Sequence, residues 1–152
     1  MAITSYWFGL AQAHSWGGVT AGETQYFIDY LSDTVNVMLT TNAVTPAQAT
    51  WEFQSSATNE VAASGTYAAG GATLAAKTLT YNASTNALMF DANDVSWSGT
   101  ITARYAIIYK VGGSASTSPL MGFVDFGADY ACILGTFNIV WAPSGLFTMT
   151  PS

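Results

Sequence analysis

Few residues in this chain have the type and spacing that catalysis requires. His14 is the only histidine and Cys132 the only cysteine. Zinc takes several His or Cys ligands, so one of each leaves no zinc site. A reactive thiol needs a base beside it; Cys132, within Tyr130-Ala131-Cys132-Ile133-Leu134, reads as a buried, inert thiol that packs like a small hydrophobe. No glycine-flanked serine precedes a helical stretch, so no nucleophile elbow is present. Asp91, Asn93 and Asp94 resemble the opening of a calcium loop, but Ser96 stands where an EF-hand glycine belongs and no closing glutamate follows. A turn whose Asx side chains bond their own backbone is the favoured reading, with an ion held by Asp91, Asp94 and Asp129 as the lesser one. Asp125-Phe126-Gly127 spells a kinase tripeptide without any other kinase element, and neither Gly17-Gly18 nor Gly70-Gly71 leads into the Lys-Ser/Thr of a phosphate loop. Glycoside hydrolysis needs two carboxylates at a set separation, which the sequence does not fix for Glu52, Glu60, Asp91 or Asp94. Trp51, Trp97 and Trp141 would suit a sugar site, but a sandwich core accounts for them more simply. The expectation is a protein without enzymatic activity, cofactor or metal.

Charge points the same way. The 152 residues include only Lys77, Arg104 and Lys110 as cations and nine carboxylates, a net charge of −6. Charged residues make up 8% of the chain, against about 25% in ordinary globular domains. Three cations cannot neutralise a phosphate backbone or hold an anionic bilayer, so neither nucleic acid nor membrane is an expected partner. Half the residues are hydrophobic, yet the apolar runs are broken well short of the roughly 18 residues of a membrane span. The first residues lack the basic and apolar regions of a signal peptide. An exterior this poor in ions is tolerable where another protein covers it, which suggests a member of a permanent assembly.

The elements that must position these residues are strands. Residues 1–22 hold Tyr6, Trp7, Phe8 and Trp16 among glycines and small residues and read as an extended N-terminal arm that packs on its own domain or reaches a neighbour. Residues 23–152 form the domain. Thr34–Thr40 is rich in β-branched residues; residues 46–60 are the one place for a short helix. Residues 62–73 are almost wholly Ala, Gly, Ser and Thr around Tyr67, a loop with little packing of its own and a candidate contact surface at Tyr67, Gly70 and Gly71. Strands follow at Leu74–Tyr81, Ala87–Phe90, Ile101–Val111, Leu120–Phe126, Leu134–Trp141 and Leu146–Thr150, separated by Gly, Asn, Ser and Pro clusters. That spacing predicts an all-β, antiparallel β-sandwich of jelly-roll type.

The Ile101 strand is apolar on both alternating faces. Arg104 falls between apolar neighbours, so the strand is expected to be central and buried on both sides. A buried guanidinium must be paired. Asp91, Asp94 and Asp125 are the candidate partners, and Asp125, in phase with Met121 and Phe123, or Asp94 is expected to form the one internal salt bridge.

Thr66-Tyr67-Ala68-Ala69-Gly70-Gly71-Ala72-Thr73-Leu74, Phe90-Asp91-Ala92-Asn93-Asp94-Val95-Ser96-Trp97 and, above all, Ile101-Thr102-Ala103-Arg104-Tyr105-Ala106-Ile107-Ile108-Tyr109-Lys110 resemble a family of small structural proteins of tailed bacteriophages. Ser118-Pro119-Leu120, Val124-Asp125-Phe126-Gly127 and Gly135-Thr136-Phe137 extend the resemblance over roughly residues 28–150. It implies a virion component on the capsid exterior, a decoration or cement protein that binds the major capsid protein and itself, as a dimer or trimer at local symmetry axes. It carries over no catalytic residue. The interface residues expected are Tyr6, Trp7, Phe8, Trp16, Tyr67, Gly70 and Gly71. The alternative is a tail or fibre component that binds host-surface glycans.

Overall fold

The computed structural model describes residues 4–15 and 26–150. Strands dominate: β1 (Thr4–Trp7), β2 (Val35–Thr40), β3 (Ala72–Thr73), β4 (Thr78–Asn82), β5 (Ala87–Asp91), β6 (Val95–Lys110), β7 (Leu120–Ile139) and β8 (Phe147–Met149), with one helix, α1 (Gly9–Ser15). They form two antiparallel sheets, of order β1-β7-β6-β2-β3 and β4-β5-β8. The fold is all-β and sandwich-like. A jelly roll divides eight strands between two Greek keys; here the division is five and three, built around the long β6–β7 hairpin.

The five-stranded sheet is covered on both faces in its proximal half. Val35, Val37 and Leu39 of β2 enter the larger core, with Phe90, Leu146 and Phe147 from around the second sheet. Met38, in the opposite phase, enters a smaller core with Phe8, Ala11, Ile107 and Phe123. Strand alternation delivers the two sets to the two faces. α1 and the segment around Trp51 and Ala57 close the second face.

Bulges set which side chain faces which core. Ala103 pairs with Tyr130 while Tyr105 pairs with Asp125, so residues 126–129 stand opposite Arg104 alone. Across this step the larger core takes Ala103 and then Ala106, and Tyr105 joins the smaller one. Gly127, at φ 78°, was expected to end a strand. It instead bends a single strand of 20 residues, which takes in the expected strand at 120–126 and the 134–139 part of the one expected at 134–141. Arg104 is accordingly not buried on both sides: its side chain is partly open beside the bulge, and beyond it Thr102, Thr100, Ser98 and Ser96 are exposed.

Three further expectations are corrected. The helix lies at Gly9–Ser15; residues 46–60 hold turns and one 3-10 turn at Gln54–Ser56, because Pro46 and the apolar Trp51 and Phe53 serve the sheet face rather than a helical one. Asp94 does not build an Asx turn. Its Oδ1 accepts the Trp141 N–H at 2.9 Å, and the Asn93 carbonyl accepts the Trp141 indole N–H at 2.9 Å, a clamp on the end of the hairpin. The 62–73 loop is packed closely. A Cβ at Gly71, which has φ +74°, would lie 1.9 Å from the Val37 carbonyl oxygen, so this glycine exists for backbone approach within the domain.

Candidate interaction surface

The described part of the N-terminal arm belongs to the fold. β1 extends the sheet edge through Tyr6↔Phe123 and Trp7↔Gly122. Phe8 is 0% exposed, its ring 5.3 Å from that of Phe123. Gln48 brackets the junction: its Nε2 donates to the Trp7 carbonyl at 2.6 Å, and its own carbonyl accepts the Gly9 N–H at 3.1 Å. His14, buried on α1, sets Nε2 3.2 Å from Glu52 Oε1, and Ser15 Oγ meets Tyr30 OH at 2.6 Å. Of the predicted interface residues, Tyr6 is partly exposed and stacked on Phe123, Trp7 is half-buried beside Phe147, and Phe8 is interior. Trp16 lies outside the described residues.

Of the loop residues, Tyr67 is interior, and Gly70 and Gly71 are half-buried. Tyr67 is 1% exposed; its hydroxyl donates to Glu60 Oε1 at 2.9 Å and accepts the Leu39 N–H at 2.9 Å. Burial pushes this phenol above its ordinary pKa, and the adjacent Glu60 charge adds to the rise. Glu60 also accepts the Gly70 N–H at 2.6 Å, and the Gly70 carbonyl accepts the Tyr109 hydroxyl at 2.8 Å. Tyr67 and Gly70 thus hold a polar network against β2 and β6. The Tyr67 hydroxyl spends its hydrogen bonds inside the chain, while Gly70 is half-buried and Ala62, Ala63, Ala68 and Ala69 are exposed.

Arg104 and Asp125 form a two-pronged pair: Nε donates to Oδ1 at 2.9 Å and an Nη to Oδ2 at 3.1 Å. Burial alone would raise the Asp125 carboxyl, but the Arg104 hydrogen bonds, the Gly127 N–H at 2.7 Å and the guanidinium charge hold it below the usual range. Asp94, the alternative partner, is committed to Trp141. It is not the one pair. Lys110 Nζ lies 2.9 Å from Asp33 Oδ2 and also donates to the Phe27 carbonyl. Lys77 donates to the Asp33 carbonyl. Every lysine and arginine of the chain is therefore bound to the chain's own oxygens, and none heads an outward cationic patch.

Several large apolar side chains do face outward. Ile133 is 79% and Leu134 90% exposed, at a bulge where Gly99 pairs with Gly135 and Ile101 with Cys132. Leu134 takes φ 47° and is held there by its N–H donating to Thr100 Oγ1 at 3.1 Å. Cys132 behind it is half-buried, its Sγ 3.4 Å from the Gly99 carbonyl. Sequence reading missed this pair of residues because an Ile-Leu dipeptide inside an apolar strand reads as core; only the Gly135 that follows hints at a bulge. A second apolar surface is a groove of about 360 Å³ lined by Trp7, Phe27, Leu31, Leu79, Leu88 and Met149 among others. Among the described residues, no three His, Cys, Asp or Glu side chains converge to hold a metal, and no helix is long and apolar enough to cross a membrane.

Comparison with known proteins finds no match: no protein-family model, no curated protein and no solved structure.

Proposed function

We propose that this protein is a structural component of a tailed-bacteriophage virion, specifically a decoration or cement protein on the capsid exterior that binds the major capsid protein and copies of itself. The observation that carries the reading is the bulge at Ile133 and Leu134, two large apolar side chains fixed outside the fold. A branched residue at positive φ costs about 1–2 kcal/mol, and exposed apolar area adds no stability to a monomer. Both features make sense where a partner covers them. The lack of free cations supports a protein partner over nucleic acid or lipid, and the sequence resemblance supplies the phage context. A cement protein needs interface area rather than a reaction: apolar burial contributes about 25 cal/mol per Å² before association costs, and repeated contacts over a shell add avidity. Glycan recognition is less well supported, since Trp97 and Trp141 are buried and Trp51 stacks on Phe8.

The test is attachment. The double variant Ile133→Ser, Leu134→Gly is expected to keep the wild-type fold and to lose at least about tenfold in affinity for capsids lacking the protein, a difference of about 1.4 kcal/mol, measured by co-sedimentation. Undiminished attachment would remove this surface from the interface and the reading with it.

A further inference from the structure

The outer edge of β4 is unguarded. Sheet edges are ordinarily blunted by charge, proline, a bulge or a covering loop. Thr78-Leu79-Thr80-Tyr81-Asn82 has no charge and no proline, pairs in unbroken register with β5, and is exposed at every residue. Among the described residues nothing pairs with its free side. The nearest cation, Lys77, is folded back onto the Asp33 carbonyl. Leu79 and Tyr81 stand opposite Phe90 and Leu88, so they share the core-facing side of their sheet, yet they remain 39% and 60% exposed. Leu79 also forms one wall of the apolar groove.

We propose that β4 pairs antiparallel with β4 of a second copy about a two-fold axis at Thr80. The strand is complementary to itself in this register. Thr80 meets Thr80 of the partner subunit, Leu79 meets the partner's Tyr81, and Thr78 meets the partner's Asn82. Every opposed pair is then apolar with aromatic or polar with polar, the combinations that stabilise neighbouring strands. This is also the register that pairs all five residues. A slip of one residue sets Leu79 against Thr80 and carries the apolar side chains to opposite faces. Pairing joins two three-stranded sheets into one of six and lays the two grooves side by side on the same face. A two-fold contact of this kind uses one patch on both subunits and closes at the dimer. The inference names a surface for the self-association in the virion reading but is argued without that reading, because it concerns the free protein.

Sedimentation equilibrium of the full-length chain tests it. The wild type is expected to dimerise. Thr80→Lys and Thr80→Glu, each of which sets like charges opposite each other on the axis, are expected to weaken the dimer at least about tenfold while the circular dichroism spectrum keeps its wild-type form. An equimolar mixture of the two variants is expected to recover association, since opposite charges then meet. A wild type that stays monomeric, a Thr80→Lys variant as dimeric as the wild type, or a mixture that gains nothing over the separate variants would overturn the proposal. None of these outcomes bears on capsid attachment, which the Ile133 and Leu134 variants read separately.

Discussion

Leu134 and Gly71 sit at similar backbone angles for opposite reasons. Leu134 at φ 47° is open to solvent, so Leu134→Gly removes strain without removing packing; its melt is expected to match or exceed the wild type by about 1 kcal/mol. Gly71 faces the Val37 carbonyl, and Gly71→Ala is expected to cost at least about 2 kcal/mol in urea unfolding. Gly113→Ala, whose Cβ would meet only Thr117 Oγ1 at 3.9 Å, should stay within about 0.5 kcal/mol. The Arg104–Asp125 pair was legible in the sequence because an arginine on an apolar strand must find an acid, and Asp125 is in phase on the next strand. The commitment of Asp94 to the Trp141 backbone was not, since no pattern in a sequence marks an N–H that lacks a strand partner. Asp125 also sets a pH dependence. Its folded pKa lies below the unfolded value of about 3.9. Its contribution is therefore complete above about pH 4 and is lost as pH falls through the lowered folded value. Asp125→Asn should flatten that acid limb in melts recorded between about pH 5 and pH 2; an unchanged limb would mean the pair does not stabilise the fold.

β1 and α1 decide whether the N-terminal segment is an appendage or part of the domain. Phe8 fills the smaller core, and Phe8→Ala is expected to cost about 3–5 kcal/mol, measured by chemical denaturation; a loss under about 1 kcal/mol would make the segment an appendage after all. Its aromatics were visible in the sequence, but their destination was not: a four-residue strand and a seven-residue helix are too short for periodicity to reveal. The strands with a clear alternating run were read well. β2, β5 and the central run of β6 follow from β-branched alternation and flanking turn residues. The failure at Gly127 has a definite cause. Glycine with Asp and Ala signals a turn, and a bulge uses the same positive φ without reversing the chain. In the 62–73 loop the close approach at Gly71 was not legible, since small residues mark close approach as readily as they mark exposure.

Across the whole molecule, the ion-poor composition acquires a specific form. The three cations are bound to oxygens of their own chain, while Ile133, Leu134, Tyr81, Phe27 and Leu31 are exposed. An exterior so arranged offers apolar tabs, a groove and an open strand edge, the features of a surface meant to be covered. The most direct check is quantitative mass spectrometry of purified virions, separated into head and tail fractions. The account predicts this chain in the head fraction, in many copies per particle, at a number set by the local symmetry axes of the shell. Its absence from particles, or its confinement to the tail fraction, would contradict the capsid role.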